Sequence, residues 1–149
     1  MLDLLLTIAH HILVFTLIAM LAAEIAAIRP NMRADQIDHL AKLDRAYGIV
    51  AMLVILAGGS RVIWGAKGPD AFLQNPWFWA KMATFLLIAL VSVRPTMSIR
   101  RWNIAVRSNQ TVSPGEAEIT PVRNFMLLQA ALVPLLLIFA AMMVRFGSF

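Results

Sequence analysis

The sequence predicts an all-α integral membrane four-helix bundle with both termini on the periplasmic side. Three observations predict it. The 149 residues contain four apolar runs, each close to the roughly 20 residues that cross a hydrocarbon core. The chain is 60% hydrophobic and only 14% charged, against about a quarter charged in soluble domains. Its lysines and arginines gather in two of the connections, as membrane topology requires. The expected organisation is one transmembrane four-helix domain over residues 1–149.

The first span runs from Asp3 to Ile28, with Asp3 as its cap and Arg29-Pro30 as its stop. It is read as a retained helix rather than a signal peptide. Its start lacks positive charge, and its apolar run is too long for a cleaved leader. Ala34 to Arg45 is amphipathic: Ile37, Leu40, Ala41 and Asp44 share one stripe, so this segment extends the second span into water or lies at the interface. The second span covers Tyr47 to Gly65. The third opens at Asn75-Pro76, a favoured N-cap and first-turn pair, and reaches Val93, where Arg94-Pro95 marks a bend or an end. A second amphipathic stretch, Ser98 to Arg107, carries Ile99, Trp102 and Val106 on one stripe. Ser108 to Thr120 reads as the one substantial loop, and the fourth span covers Val122 to Phe146 with a kink at Pro134.

Arg29, Arg33, Lys42 and Arg45 lie between spans one and two; Arg94, Arg100, Arg101, Arg107 and Arg123 lie between spans three and four. The opposite side holds mainly Arg61, Lys67, Lys81 and Arg145. The positive-inside rule therefore places the two rich loops in the cytoplasm. The net charge of +5 belongs to topology and not to nucleic acid. Cysteine is absent, which excludes disulfides, thiolate nucleophiles and zinc–thiolate or iron–sulfur sites built from this chain.

His10 and His11, a few residues inside the first span, are the most informative residues. Lipid penalises polar side chains, so an ionisable group within a membrane helix is a functional hypothesis by default. Imidazole is also an axial ligand for haem iron. Helix rise places His10, His11, Arg61, Lys81 and Arg145 within a layer roughly 10 Å deep near one end of the bundle. A haem b would take its nitrogen from His10 or His11, hold its propionates on Arg61 and Lys81 or have Lys81 act on the iron side, and be rimmed by Trp64, Trp77, Phe78 and Trp79. The plainer readings are snorkelling for the lysines and Arg145, and an interfacial aromatic belt for the tryptophans. Adjacent histidines diverge by about 100° on a helix, so one site takes at most one of them well.

Glu24 follows His10 by fourteen residues, within about 40° of the same face. That face reads His10, Val14, Leu17, Leu21 and Glu24 and is expected to point inward. Arg45, Arg94 or Arg123 would pair with Glu24 in a structural ion pair; a proton-relay acid is the sharper reading. Asp44, Tyr47, Asn124 and Gln129 are expected on the same side. Gly58-Gly59 and Gly65 would allow close helix approach. The nine methionines are scattered and read as packing.

The strings His10-His11-Ile12-Leu13-Val14-Phe15-Thr16, Arg45-Ala46-Tyr47-Gly48, Gly59-Ser60-Arg61-Val62, Gly65-Ala66-Lys67-Gly68 and Phe78-Trp79-Ala80-Lys81 resemble a bacterial family of small predicted membrane proteins without an assigned function. That family is distantly similar to HemJ-type protoporphyrinogen oxidases and to CopD-like membrane proteins. The HemJ-type pattern, a histidine early in helix one and a lysine after a tryptophan in helix three, falls on His10 or His11 and on Lys81 after Trp79. The chain departs from it at Ala19, where those proteins carry a tryptophan, at Arg123-Asn124, where a longer string is expected, and in a shorter Trp–Lys spacing. The resemblance implies haem b, a likeness to oligomeric proteins, and an inner-membrane location.

The leading expectation is thus a membrane b-type haem protein in electron transfer or oxidoreduction, with Glu24 and Lys81 as candidate catalytic groups. Its expected partners are the lipid bilayer, a second copy in a homo-oligomer and a redox protein. The competing expectations are a scaffold or accessory subunit without cofactor and, behind it, a small transporter.

Overall fold

The computed structural model describes residues 1–64, 68–108 and 111–146. The described residues form five helices and no strand: α1 (Leu2–Ala27), α2 (Ala34–Trp64), a short α3 (Gly68–Leu73), α4 (Pro76–Arg107) and α5 (Glu116–Phe146). Four of them, α1, α2, α4 and α5, are long and apolar enough to cross a membrane. Gly65 and Lys67, which the sequence reading used for close packing and for charge placement, lie outside the described residues.

Local chemistry sets the helix ends. Asn75 caps α4 by accepting a hydrogen bond from the Trp77 amide at 3.0 Å, with Pro76 at the position where a missing N–H costs nothing. Gln36 Oε1 accepts from the Arg33 amide at 3.0 Å, half of a capping box at the start of α2. Asp3 sits in the first turn of α1 without capping it; Met1 precedes the helix and makes no side-chain cap. There Asp3 still complements the positive end of the helix dipole.

Two expected boundaries differ. Arg94-Pro95 does not end the third span: α4 runs through it to Arg107, and Pro95 is buried inside. One proline removes one helix hydrogen bond, and the remaining ladder carries α4 past it. The loop expected over Ser108 to Thr120 is shorter, because α5 already begins at Glu116 and carries Pro121 within it. The 31 residues of α2 span about 46 Å and so exceed the hydrocarbon thickness. Its first turns, Ala34 to Arg45, are the extension the amphipathic stripe predicts.

The helices close into a ring. α1 packs chiefly on α2, and α4 chiefly on α5; α2 also meets α4, and α1 meets α5 more sparingly. α1 and α4 lie across the diagonal and do not touch among the described residues. At the arginine-rich end the two amphipathic stripes meet. Ile37 and Leu40 of α2 pack with Ile99 and Trp102 of α4, Leu21 of α1 and Met126 of α5 in one buried core. Asn31, in the left-handed region at φ 56, donates its amide to the Pro114 carbonyl at 2.9 Å and ties the two loops of that end together. At the other end Phe72, Phe78 and Met143 form a smaller cluster, and Asn75 Nδ2 donates to the Met143 carbonyl at 3.2 Å. The start of α4 is thereby pinned to the end of α5.

Candidate functional site

Between the two clusters the bundle is not filled. A cavity of about 430 Å³ lies among α1, α2, α4 and α5, inside the roughly 300–1,000 Å³ range of ligand and cofactor pockets. Its walls are apolar: Val14, Leu17 and Leu21 from α1, Val54 from α2, Phe78, Phe85 and Ile88 from α4, Val133 and Leu136 from α5. Three basic groups reach it from three helices, His10 of α1, Arg61 of α2 and Lys81 of α4.

His10 lies against α2. A side chain on Gly58 would place its Cβ 3.3 Å from the His10 Cε1 and 3.6 Å from Nδ1. Glycine at 58 therefore provides the seat for the imidazole. Nδ1 is enclosed and has no hydrogen-bond partner. Arg61 Nε is likewise buried without a partner. Lys81 Nζ lies 5.7 Å from the Phe78 ring centroid, in cation–π range. Neither cation has an acidic partner: the ion pairs among the described residues are Arg33–Asp35, Lys42–Asp38 and Arg107–Asp38, all far along the chain at the arginine-rich end.

The remaining candidates are placed elsewhere. His11 is exposed, its Nδ1 2.7 Å from the Thr7 carbonyl of its own helix, and its ring stands at 84° to that of His10. The divergence expected of adjacent helical residues thus sends one imidazole inward and one outward. Trp64 and Trp79 are 62% and 55% exposed and do not line the cavity. Trp79 Nε1 donates to the Leu73 carbonyl at 2.9 Å. Both sit where an aromatic belt sits, near the ends of apolar helices. Trp77 stacks on Phe139 with centroids 6.0 Å apart. Phenylalanines at 72, 78 and 85 supply the aromatic wall that the tryptophans were expected to form. Arg145, in the last turn of α5, is exposed and outside the cavity lining.

Deeper in the bundle, the face of α1 continues as its spacing predicts: His10, Val14, Leu17 and Leu21 line the cavity, and Glu24 is buried beyond them. Among the described residues no arginine pairs with Glu24. Arg45 and Arg123 are exposed, and Arg94 lies over the Phe125 ring at 5.2 Å. The Tyr47 hydroxyl donates to Gln129 Oε1 at 3.3 Å, both residues buried. Thr96 Oγ1 donates to Asp44 Oδ1 at 2.7 Å. Asn124 is exposed, away from this layer. Thr96 and the buried Asn103 were not expected at this end, because both lie in an arginine-rich stretch where polar residues read as solvent-facing. No cluster of three or more metal-ligating His, Asp or Glu side chains occurs among the described residues.

Residues 2–147 match the family model described as "Predicted membrane protein (DUF2214)", and the chain belongs to that family. No curated protein and no solved structure matches the chain.

Proposed function

We propose that this DUF2214 member is a b-type haem protein of the membrane, acting in electron transfer or oxidoreduction, with His10 as the axial ligand. The observation that carries the reading is the meeting of His10, Arg61 and Lys81 on one apolar cavity. A bound haem needs an axial nitrogen, apolar walls for its ring and cations for its two propionates. His10 rests against Gly58 of α2 and lines the cavity, where its imidazole would hold the iron. Arg61 and Lys81 have no acidic partner among the described residues and are free to hold anionic oxygens. The phenylalanine and aliphatic walls would give the ring an apolar surrounding, and such surroundings set a haem potential together with the ligand and nearby charge. When bound, the haem supplies a one-electron iron couple; the chain supplies its seat, its charge balance and its dielectric.

The resemblance to HemJ-type proteins supports the same assignment, since its two signature positions fall on His10 and Lys81. It also extends the proposal to a bacterial inner membrane, and the arginine distribution supports periplasmic termini. The test is an optical spectrum of detergent-purified protein with and without dithionite, with a pyridine haemochrome assay. The expected result is a Soret band with reducible α and β bands, lost in His10→Ala and kept in His11→Ala. A colourless protein that stays colourless after haem is added would overturn the reading.

A further inference from the structure

The cavity leaves one buried group unexplained. Glu24 is 3% exposed, and its Oε1 has no hydrogen-bond partner. No cation comes within ion-pair distance of it among the described residues. The titratable groups that face it are Asp44 and Tyr47, both on α2. From α5 the buried polar side chain of the same layer is Gln129, which is uncharged, and α4 does not pack on α1. Among the described residues no basic group pairs with it, and the carboxyl that faces it is another acid. An ionised carboxylate here would have lost its hydration, gained no counter-ion and met a like charge, each of which disfavours it. The neutral acid suffers none of these penalties to the same degree and has a hydrogen to donate.

We infer that Glu24 is a proton-binding site, and that its proton exchanges along a file of Asp44, Tyr47 and Gln129. The placement of these groups gives the file two ends. Asp44 is half-buried and held by Thr96 toward the arginine-rich end, where Arg45 next to it is exposed. Tyr47 belongs both to this layer, through its bond to Gln129, and to the cavity lining. A proton leaving the Glu24 carboxyl along this file for water leaves a carboxylate behind. A proton from water at the arginine-rich end, passed by way of Asp44, restores the acid. No electron moves and no other reactant is needed. The site stands whether or not a haem occupies the cavity.

Infrared difference spectroscopy of the full chain in lipid vesicles, in H₂O and D₂O at neutral pH, tests it. The expected result is the carbonyl stretch of a protonated carboxyl, shifted in D₂O, lost in Glu24→Gln and kept in Asp44→Asn. Glu24→Gln keeps both the shape and the neutrality of the side chain, so its thermal midpoint is expected to match the parent. Tyr47→Phe is expected to keep the band and slow its hydrogen–deuterium exchange several-fold. Absence of the band in the parent protein, or its survival in Glu24→Gln, would overturn the site. A band that emerges only when Na⁺ is withdrawn would overturn it too, assigning the carboxylate to a bound cation. Unchanged exchange in Tyr47→Phe would overturn the route.

Discussion

At position 58 a hydrogen atom and a methyl group are different instructions. The Gly58 backbone touches the His10 ring so closely that a Cβ there would stand 3.3 Å from Cε1. Gly58→Ala obliges the imidazole to give by a few tenths of an ångström. Gly58→Leu has no such latitude and fills the seat. Haem content measured by pyridine haemochrome is expected to fall about tenfold or more in Gly58→Leu, a free-energy loss of roughly 1.4 kcal/mol or above, with helical circular dichroism unchanged. Arg61→Gln and Lys81→Gln each remove a charge-assisted partner, a loss of about 1.5–3 kcal/mol per hydrogen bond. Each is expected to weaken haem retention in a competition with apomyoglobin by about 10- to 100-fold; unaltered retention in both would place the propionates elsewhere. The inward face of α1 was legible from its 3.6-residue period, down to Glu24. The choice between His10 and His11 was not, because rotation about a helix axis is fixed by what packs against it, here Gly58. The missing arginine for Glu24 has a similar cause. A long side chain near a helix end reaches water at small cost, and Arg45 and Arg123 do so.

Among the helices, α4 carries the largest difference between pattern and structure. A proline within an apolar run signals a break, and Arg94-Pro95 carries that signal. Yet Ile99 and Trp102, one and two turns beyond it, are buried with Ile37 and Leu40 of α2 on a helix that continues past the proline. The stripes on both partners were visible in the sequence; that they met each other was not, since pairing across 60 residues leaves no local mark. Ile99 is fully buried, so Ile99→Ala is expected to destabilise this end by about 2–5 kcal/mol, read as a fall in the thermal midpoint of detergent-solubilised protein. At the opposite end Asn75→Ala removes both the cap on Trp77 and the bond to the Met143 carbonyl. A lost cap alone costs about 1 kcal/mol, and a larger fall is expected here because a buried carbonyl is orphaned as well. A midpoint equal to that of the parent protein would show that neither bond contributes.

For the molecule as a whole, four crossings return the chain to the side where it began. The start of α1 and the end of α5 lie at the same end of the bundle, since His10 and Met143 line the same part of one cavity with Arg61 and Lys81. Single cysteines introduced into this cysteine-free chain at Asn31 and Thr111 are expected to react with a membrane-impermeant maleimide from the cytoplasmic side only, and one at Asp3 from the other side only. Labelling of Asn31→Cys and Thr111→Cys from opposite sides would break the four-span topology. The ring order has a further consequence for how such a molecule is held together. Helices adjacent in the chain are also the most intimate partners, α1 with α2 and α4 with α5. The site is therefore divided between two hairpins, the first bearing His10 and Arg61 and the second bearing Lys81. Only when the second hairpin docks is there an enclosed space at all. A haem held as proposed above would bridge the two hairpins, so that its retention would report how firmly they are joined.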